Sequence, residues 1–492
     1  MKKILTFFLL CIAVCAQAQT ARPKLVVGLV VDQMRWDYLY YYYNEYGEGG
    51  LKRLLSEGYS CGNCQINYAP TVTAVGHTSI FTGSVPSIHG IAGNSFYLDG
   101  GSKETENCYD GSVKGVGSNG KAGQRSPHLM RTSTIGDELR LSNDYQSKVV
   151  GVALKDRAAI LPAGHTANAA YWWDTEAGHF ITSTYYMNAL PQWVVDFNKQ
   201  NHTAPGYDIK ASNEGVTMTF RMAEAAIKGE QLGQDDATDL LTVSVSSTDL
   251  IGHIYSTRGK ENHDVYMQLD KDLASFLQML DATVGKGNYL LFLTADHGAA
   301  HNYNMLRSHK YPAGAWDYSA TTKGLNEYLK GKFKLTEDPV LPEDNYQFTF
   351  NEAVLAKADV DLDDAVEEAV KWLRTQKDFI YVVDNEHLSE ATLPAPIKER
   401  LINGYCHGRS GQITVVTRPQ YFGGKDDPNY KGTQHGQPFP YDTHIPCIYY
   451  GWNVPHGETT QETHVTDIAA TVCAMLHIQM PNGCIGEPTQ LK

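Results

Sequence analysis

Leu25-Val-Val-Gly-Leu-Val-Val-Asp32 is a near-continuous apolar run that ends in a carboxylate. Two later stretches repeat the pattern: Leu240-Leu-Thr-Val-Ser-Val-Ser-Ser-Thr-Asp249 and Tyr289-Leu-Leu-Phe-Leu-Thr-Ala-Asp296-His297-Gly298. Further short apolar runs lie at 148–154, 412–417 and 445–450. Strands that are apolar without alternation belong to a sheet covered on both faces. Helical patterns fall between them, as at 261–280, where Val265, Leu269, Leu273, Phe276 and Leu280 recur at helical spacing. Strands alternating with helices predict an α/β sandwich.

Outward from these runs the sequence is less regular. Residues 98–123 are rich in Gly, Ser and Asn and read as loop. Residues 158–211 carry Trp172, Trp173, Tyr185 and Tyr186 and read as an insertion on the catalytic face, and 310–400 as a lobe with a helix near 362–375. No Pro/Ser-rich linker divides the chain. The expectation is one domain over 19–492, with insertions near 98–131, 158–215 and 310–400. At 492 residues and 42% hydrophobic content the chain is ample for a large core.

The first residues read as a signal peptide over 1–18: Lys2 and Lys3, an apolar stretch from Ile4 to Ala16, then Ala16-Gln17-Ala18 as a cleavage pattern. That stretch is shorter than the roughly 20 residues a membrane span takes. The mature protein is expected in the periplasm or secreted, with no membrane span. Loss of Lys2 and Lys3 takes the formal charge of −14 to −16, which argues against nucleic acid or an anionic membrane as partner. Export permits disulfides, and the mature chain keeps an odd number of cysteines, including Cys61-x-x-Cys64 with no second such pair.

The chemistry sits where the apolar runs end. Sites in open α/β sheets form beyond the carboxyl ends of strands. One Asp there is ordinarily a helix cap or turn former; three, two of them with a histidine close by, ask for more. Asp249 and His253 share a face if a helical turn follows, and Asp296 and His297 are adjacent at a strand end. Carboxylates with imidazoles suit zinc rather than calcium or magnesium. Thr73 follows Pro70 where a helix would begin, beside free backbone N–H groups and the positive end of the helix dipole. Taken alone, Thr73 would be only a helix cap, and Lys155-x-Arg157 only solvated cations.

The motifs Pro70-x-x-Thr73-x-x-x-His77 and Thr82-Gly-x-x-Pro86-x-x-His89-Gly90, with Asp32, Asp249-x-x-x-His253 and Asp296-His297 in fixed order, resemble the alkaline phosphatase superfamily over nearly the whole chain beyond the leader. The branch they are most similar to is the phosphate-irrepressible bacterial periplasmic type, with Thr as nucleophile. The resemblance implies a three-layer α/β/α sandwich with a mixed, mostly parallel sheet. It implies two Zn²⁺, one held by Asp32, Asp296 and His297 with Thr73, the other by Asp249, His253 and a late histidine. His407, His435, His444 and His456 are candidates for the last place; His435 is preferred because Gly432-Thr-Gln-His435-Gly precedes the 445–450 run as the family's last ligand does, and His444 comes next. The family pattern gives His77 and His89 packing roles. It also implies that Lys155, Arg157 and Asn94 grip phosphate oxygens; the i, i+2 spacing of Lys155 and Arg157 itself places them on one face if the segment is extended.

The expected activity is hydrolysis of small phosphate monoesters through a phosphothreonine at Thr73. The rivals are a phosphodiesterase or nucleotide pyrophosphatase on the same scaffold, which lacks the Lys-x-Arg pair, and a non-catalytic zinc or phosphate binder. A sulfatase is disfavoured because Ile88 stands where that branch requires Arg. Oligomeric state is left open.

Overall fold

The computed structural model describes residues 22–492; the expected signal peptide lies outside the described residues. A ten-stranded sheet organises the molecule. Its strands are β1 (Leu25–Val31), β2 (Tyr59–Cys61), β3 (Gly115–Val116), β4 (Val149–Ala153), β5 (Ala169–Asp174), β6 (His179–Ser183), β7 (Asp239–Val245), β8 (Tyr289–Thr294), β9 (Cys447–Gly451) and β10 (Gly457–Thr459). The spatial order is β10-β2-β9-β8-β1-β7-β4-β5-β6-β3. The five central strands, β8-β1-β7-β4-β5, run parallel, and the flanks turn antiparallel at β9 and β6. Every residue of β1, β7 and β8 is buried, as their unbroken apolar character requires.

Helices cover both faces. On one, α3 (Asn213–Gly229) and α5 (Lys260–Leu280) pack together with α4 (Ser247–Tyr255); on the other lie α1 (Thr73–Thr82), α2 (Asp156–Ala163) and α6 (Asp467–Leu476). This is the three-layer α/β/α sandwich with a mixed sheet. The amphipathic α5 buries Val265, Leu269, Leu273, Phe276 and Leu280 at helical spacing. By contrast, all of α1 is buried and no apolar stripe marks it, because sheet, helices and loops enclose it on every side.

Two stretches differ from expectation. Residues 158–215 supply α2, β5 and β6 of the central sheet, and Trp172 and Trp173 are buried on β5, so their aromatic character serves the core and not a cover over the site. The 412–417 run leaves the central sheet: Ile413–Thr417 is the middle strand of a three-stranded sheet with Gln347–Phe348 and Phe379–Asp384. That sheet and the helices Tyr318–Phe333 and Leu362–Leu373 bury a second apolar core around Trp316, Leu325, Phe348, Leu373 and Ile413. An apolar strand therefore marks burial on both faces, not membership of a particular sheet. Among the described residues no helix is long and apolar enough to cross a membrane.

Candidate active site

The parallel register brings the acids together. Val31 is opposite Val245 on β7, and Val30 is opposite Thr294 on β8. The same register carried on sets Asp32 beside Asp296, while Asp249 enters from the first turn of α4 with His253 one turn on. Two close approaches complete the ring. A Cβ on Gly76 would stand 2.4 Å from Asp296 O, so only glycine lets α1 bring Thr73 down onto this strand end. Likewise a Cβ on Gly432 would stand 1.8 Å from His253 O, so glycine lets the loop carrying His435 reach α4.

The ligating atoms form two groups, Asp32 with Asp296 and His297, and Asp249 with His253 and His435; within each they lie within 4.8 Å of one another. All three imidazoles are oriented alike. His253 Nδ1 donates to Thr433 O (2.9 Å), His435 Nδ1 to Thr71 O (2.7 Å) and His297 Nδ1 to Gly298 O (3.0 Å). The Nε2 atom of each ring thus faces the carboxylates, the orientation a metal ligand needs.

In the first group His297 Nε2 lies 3.5 Å from Asp32 Oδ1 and 3.6 Å from Asp296 Oδ2. These three atoms are buried and have no hydrogen-bond partner. The His77 ring is 3.2 Å from Asp296 Oδ2, but its Nδ1–H is used on Thr73 O. Two carboxylate oxygens and an imidazole nitrogen converging in a dry site without a hydrogen-bond partner are unfavourable unless a cation joins them. The residues present therefore fit a metal ion, and the donor set of carboxylate oxygen and imidazole nitrogen fits zinc. In the second group His253 Nε2 is 3.1 Å and His435 Nε2 3.7 Å from Asp249 Oδ1. The groups abut: the His297 and His435 rings stack with centroids 3.6 Å apart.

Lys155 lies between the two. Its Nζ donates to Asp32 Oδ2 and Asp249 Oδ2, each at 2.6 Å, and lies 3.4 Å from Thr73 Oγ1. Burial opposes its charge, but Asp249 and Asp32 hold its pKa above the ordinary lysine value. Burial and the neighbouring Asp296 push the Asp32 carboxyl well up. Asp249, buried as deeply, is held far down by His253 and Lys155. Burial lowers both His297 and His435, which favours neutral rings.

Thr73 is the first residue of α1 and is 1% exposed. No side chain at the N-cap, Val72, caps this helix. Asn94 does so from a distance, its Oδ1 accepting the Ala74 N–H at 3.0 Å. The expected extended face shared by Lys155 and Arg157 does not exist. Lys155 caps α2 and Arg157 is in its first turn, so the two cations diverge. Lys155 enters the carboxylates, whereas Arg157 lines a cavity of about 550 Å³ with Asn94, Asn107 and Lys121, and its Nε is buried without a partner.

Of the other histidines, His407 is exposed, His444 stacks on Trp36 and His456 contacts Gly58 O; none is in either group. His77 and His89 are buried and hydrogen-bonded, to Ser244 and to Ser79. Sequence reasoning missed Gln33. This buried residue has φ +63°, its N–H donates to Asp296 Oδ1 (3.1 Å), and its Nε2 donates to Asp249 Oδ1 (2.6 Å). Only its place after Asp32 could have singled it out.

Comparison with known proteins gives the chain its family. The family model described as type I phosphodiesterase / nucleotide pyrophosphatase matches residues 26–438. A Myroides odoratus protein named calcium-transporting ATPase is 45% identical, over 97% of this chain and 96% of that one. Alkaline phosphatase PafA of Elizabethkingia meningoseptica is 44% identical, over 95% and 94%. The crystal structure of wild-type alkaline phosphatase PafA superposes with a TM-score of 0.91 at 44% identity, covering 95% of this chain and 98% of that one.

Proposed function

Because this chain belongs to the type I phosphodiesterase / nucleotide pyrophosphatase family within the alkaline phosphatase superfamily, we propose that it is an exported alkaline phosphatase that hydrolyses small phosphate monoesters through Thr73. Asp32, Asp296 and His297, with Thr73, would hold one zinc ion, and Asp249, His253 and His435 the other. A bound zinc pair lowers the pKa of a coordinated hydroxyl and neutralises charge on the leaving oxygen.

The chain's own residues supply the rest. Packing of Gly76 on Asp296 holds Thr73 Oγ1 at the strand ends, in reach of a phosphorus atom placed between the two groups. The Oγ1–P bond forms as the ester bond breaks, giving phosphothreonine and a free alcohol; water then cleaves the phosphothreonine. Lys155, 3.4 Å from Thr73 Oγ1, favours the oxyanion form of the threonine and the negative charge arriving on phosphate. Arg157 and Asn94 meet the outward oxygens, with Asn94 held in orientation by the Ala74 amide.

The observation that carries the monoester reading is the buried Lys155 ammonium beside Thr73, with Arg157 lining the cavity that Asn94 shares. Two divalent ions held by three carboxylates leave the centre positive, and Lys155 and Arg157 add to that. A monoester dianion matches this charge and has oxygens for both cations, whereas a diester sets a carbon group against one of them. The test is the rate on an aryl phosphate monoester against the matching diester, before and after chelation and zinc repletion. Monoester preference that disappears with the metal is expected; diester preference overturns the reading.

A further inference from the structure

The described cysteines fall into distinct groups. All are free thiols in the structure: Cys108 and Cys406 pack in different apolar clusters, Cys473 neighbours Cys484, and Cys61, Cys64 and Cys447 meet at one edge of the central sheet. The last three come together by strand pairing. β9 and β2 run antiparallel with Ile448 opposite Ser60, a register that sets Cys447 opposite Cys61. The short strand His444–Ile445 pairs with Cys64–Gln65, with Ile445 opposite Cys64. Cys447 thus lies between the other two, with its thiol beside both of theirs. All three are at most 2% exposed.

We propose that Cys447 forms a structural disulfide with Cys61 across β9 and β2, leaving Cys64 as a spare thiol able to exchange into the same bond. Directly opposed antiparallel residues have Cα atoms about 4.5–5.5 Å apart, inside the roughly 4.4–6.8 Å a disulfide spans. Exported proteins meet disulfide oxidants of the thiol-oxidoreductase or glutathione class. The Cys61 thiolate attacks such a disulfide, forms a mixed disulfide and expels one thiolate. The Cys447 thiolate then attacks the Cys61 sulfur and expels the second. The two protein thiols lose two electrons, and their two protons pass to the expelled thiolates. Exchange is redox-neutral: the Cys64 thiolate attacks the Cys447 sulfur, and the displaced Cys61 takes the proton. The neighbouring Cys447 thiol lowers the Cys61 pKa, consistent with Cys61 as the first nucleophile.

The position ties this bond to the site. Cys447 is opposite Thr294 on β8, and Thr294 Oγ1 donates to Pro446 O (2.8 Å) just before Asp296 and His297. A disulfide would fasten the edge strand against which that ligand-bearing strand end is braced.

The experiment is refolding of the mature chain in a glutathione redox buffer, trapping with N-ethylmaleimide, and non-reducing peptide mapping. The expected map links the Cys61 and Cys447 peptides and leaves Cys64 alkylated. Reduction should lower the melting midpoint by about 3 °C. Cys61→Ser should move the link to Cys64–Cys447, and Cys447→Ser should leave Cys61 and Cys64 both alkylated. A refolded, active enzyme with all three thiols alkylated overturns the proposal, as does a Cys61–Cys64 link with Cys447 free. The wild-type map decides the matter even if a variant fails to fold.

Discussion

Lys155 Nζ stands 2.6 Å from Asp249 Oδ2 and equally close to Asp32 Oδ2, so one ammonium joins the two carboxylates that belong to different ligand groups. Without metal this lysine is the cation that makes burial of those acids tolerable. Removing one partner of a buried ion pair costs on the order of 3–5 kcal/mol, because the remaining charges are left uncompensated. Lys155→Met should therefore lower the melting midpoint strongly in chelator and much less with saturating zinc, while monoester turnover falls in both zinc-limited and zinc-saturated enzyme. Thermal melts with and without chelator check it; equal destabilisation in both would remove this role from Lys155.

Thr73 has its hydroxyl beside Lys155 and its backbone at the start of a helix buried on every side. Thr73→Ala deletes one methyl-sized volume and the nucleophile, without touching the imidazole and carboxylate ligands. Turnover should drop by about 10³-fold or more, with bound zinc unchanged by elemental analysis. Thr73→Ser should keep a large part of the rate and still trap a phosphorylated residue under acid quench.

Much of this was legible in the chain itself. Asp32, Asp249 and Asp296 stood out because unbroken apolar strands announce a doubly covered sheet, and such a sheet delivers its strand ends to one place. What was not legible depends on contacts between segments far apart in sequence. Gln33 acts only because Gly252 and α4 bring Asp249 against its amide. Arg157 parts from Lys155 because α2 begins at Asp156, a helix start that two charged residues do not announce. Trp172 and Trp173 looked like material for a surface insertion because aromatic composition does not say which side of a sheet edge a strand occupies. His435 could be chosen among the late histidines only through a resemblance; its ring is held by Thr71 O, a backbone atom with no sequence signature.

The loop that carries Asn94 is clasped to the lobe through Ser95, whose hydroxyl meets both Asp344 and Glu104. Burial, and the charge of Glu104 after it, push the Asp344 pKa up to about 6, against the pull of Ser95. A carboxyl whose folded pKa lies above its unfolded one stabilises the fold less once it ionises. The cost sets in as pH rises from about 4 and is complete above about 6. Asp344→Asn removes that cost while keeping an acceptor for Ser95. The variant should melt higher than the wild type at pH 8 and lose that advantage near pH 4. Parallel melting curves across this range, with no change in the difference, would contradict the clasp.

Gln33, like Lys155, touches both ligand groups, its N–H on Asp296 and its side-chain amide on Asp249. A non-glycine residue at φ +63° costs of order 1 kcal/mol or more, and such strain persists only where surrounding contacts impose it. Groups that orient metal ligands without binding the ion typically change metal affinity by about 10–100-fold when removed. Gln33→Gly relieves the backbone but deletes the amide that fixes Asp249; Gln33→Glu keeps the length and replaces a donor with a charge facing a carboxylate. Competitive chelator titration should show weaker zinc binding at the Asp249 site for Gln33→Gly, by about 10-fold, and a larger loss for Gln33→Glu. The melting midpoint in chelator should rise or stay level for Gln33→Gly, since strain goes and no ion is present to be lost. A variant that melts lower in chelator but binds zinc as tightly as the wild type would mean that Gln33 only packs.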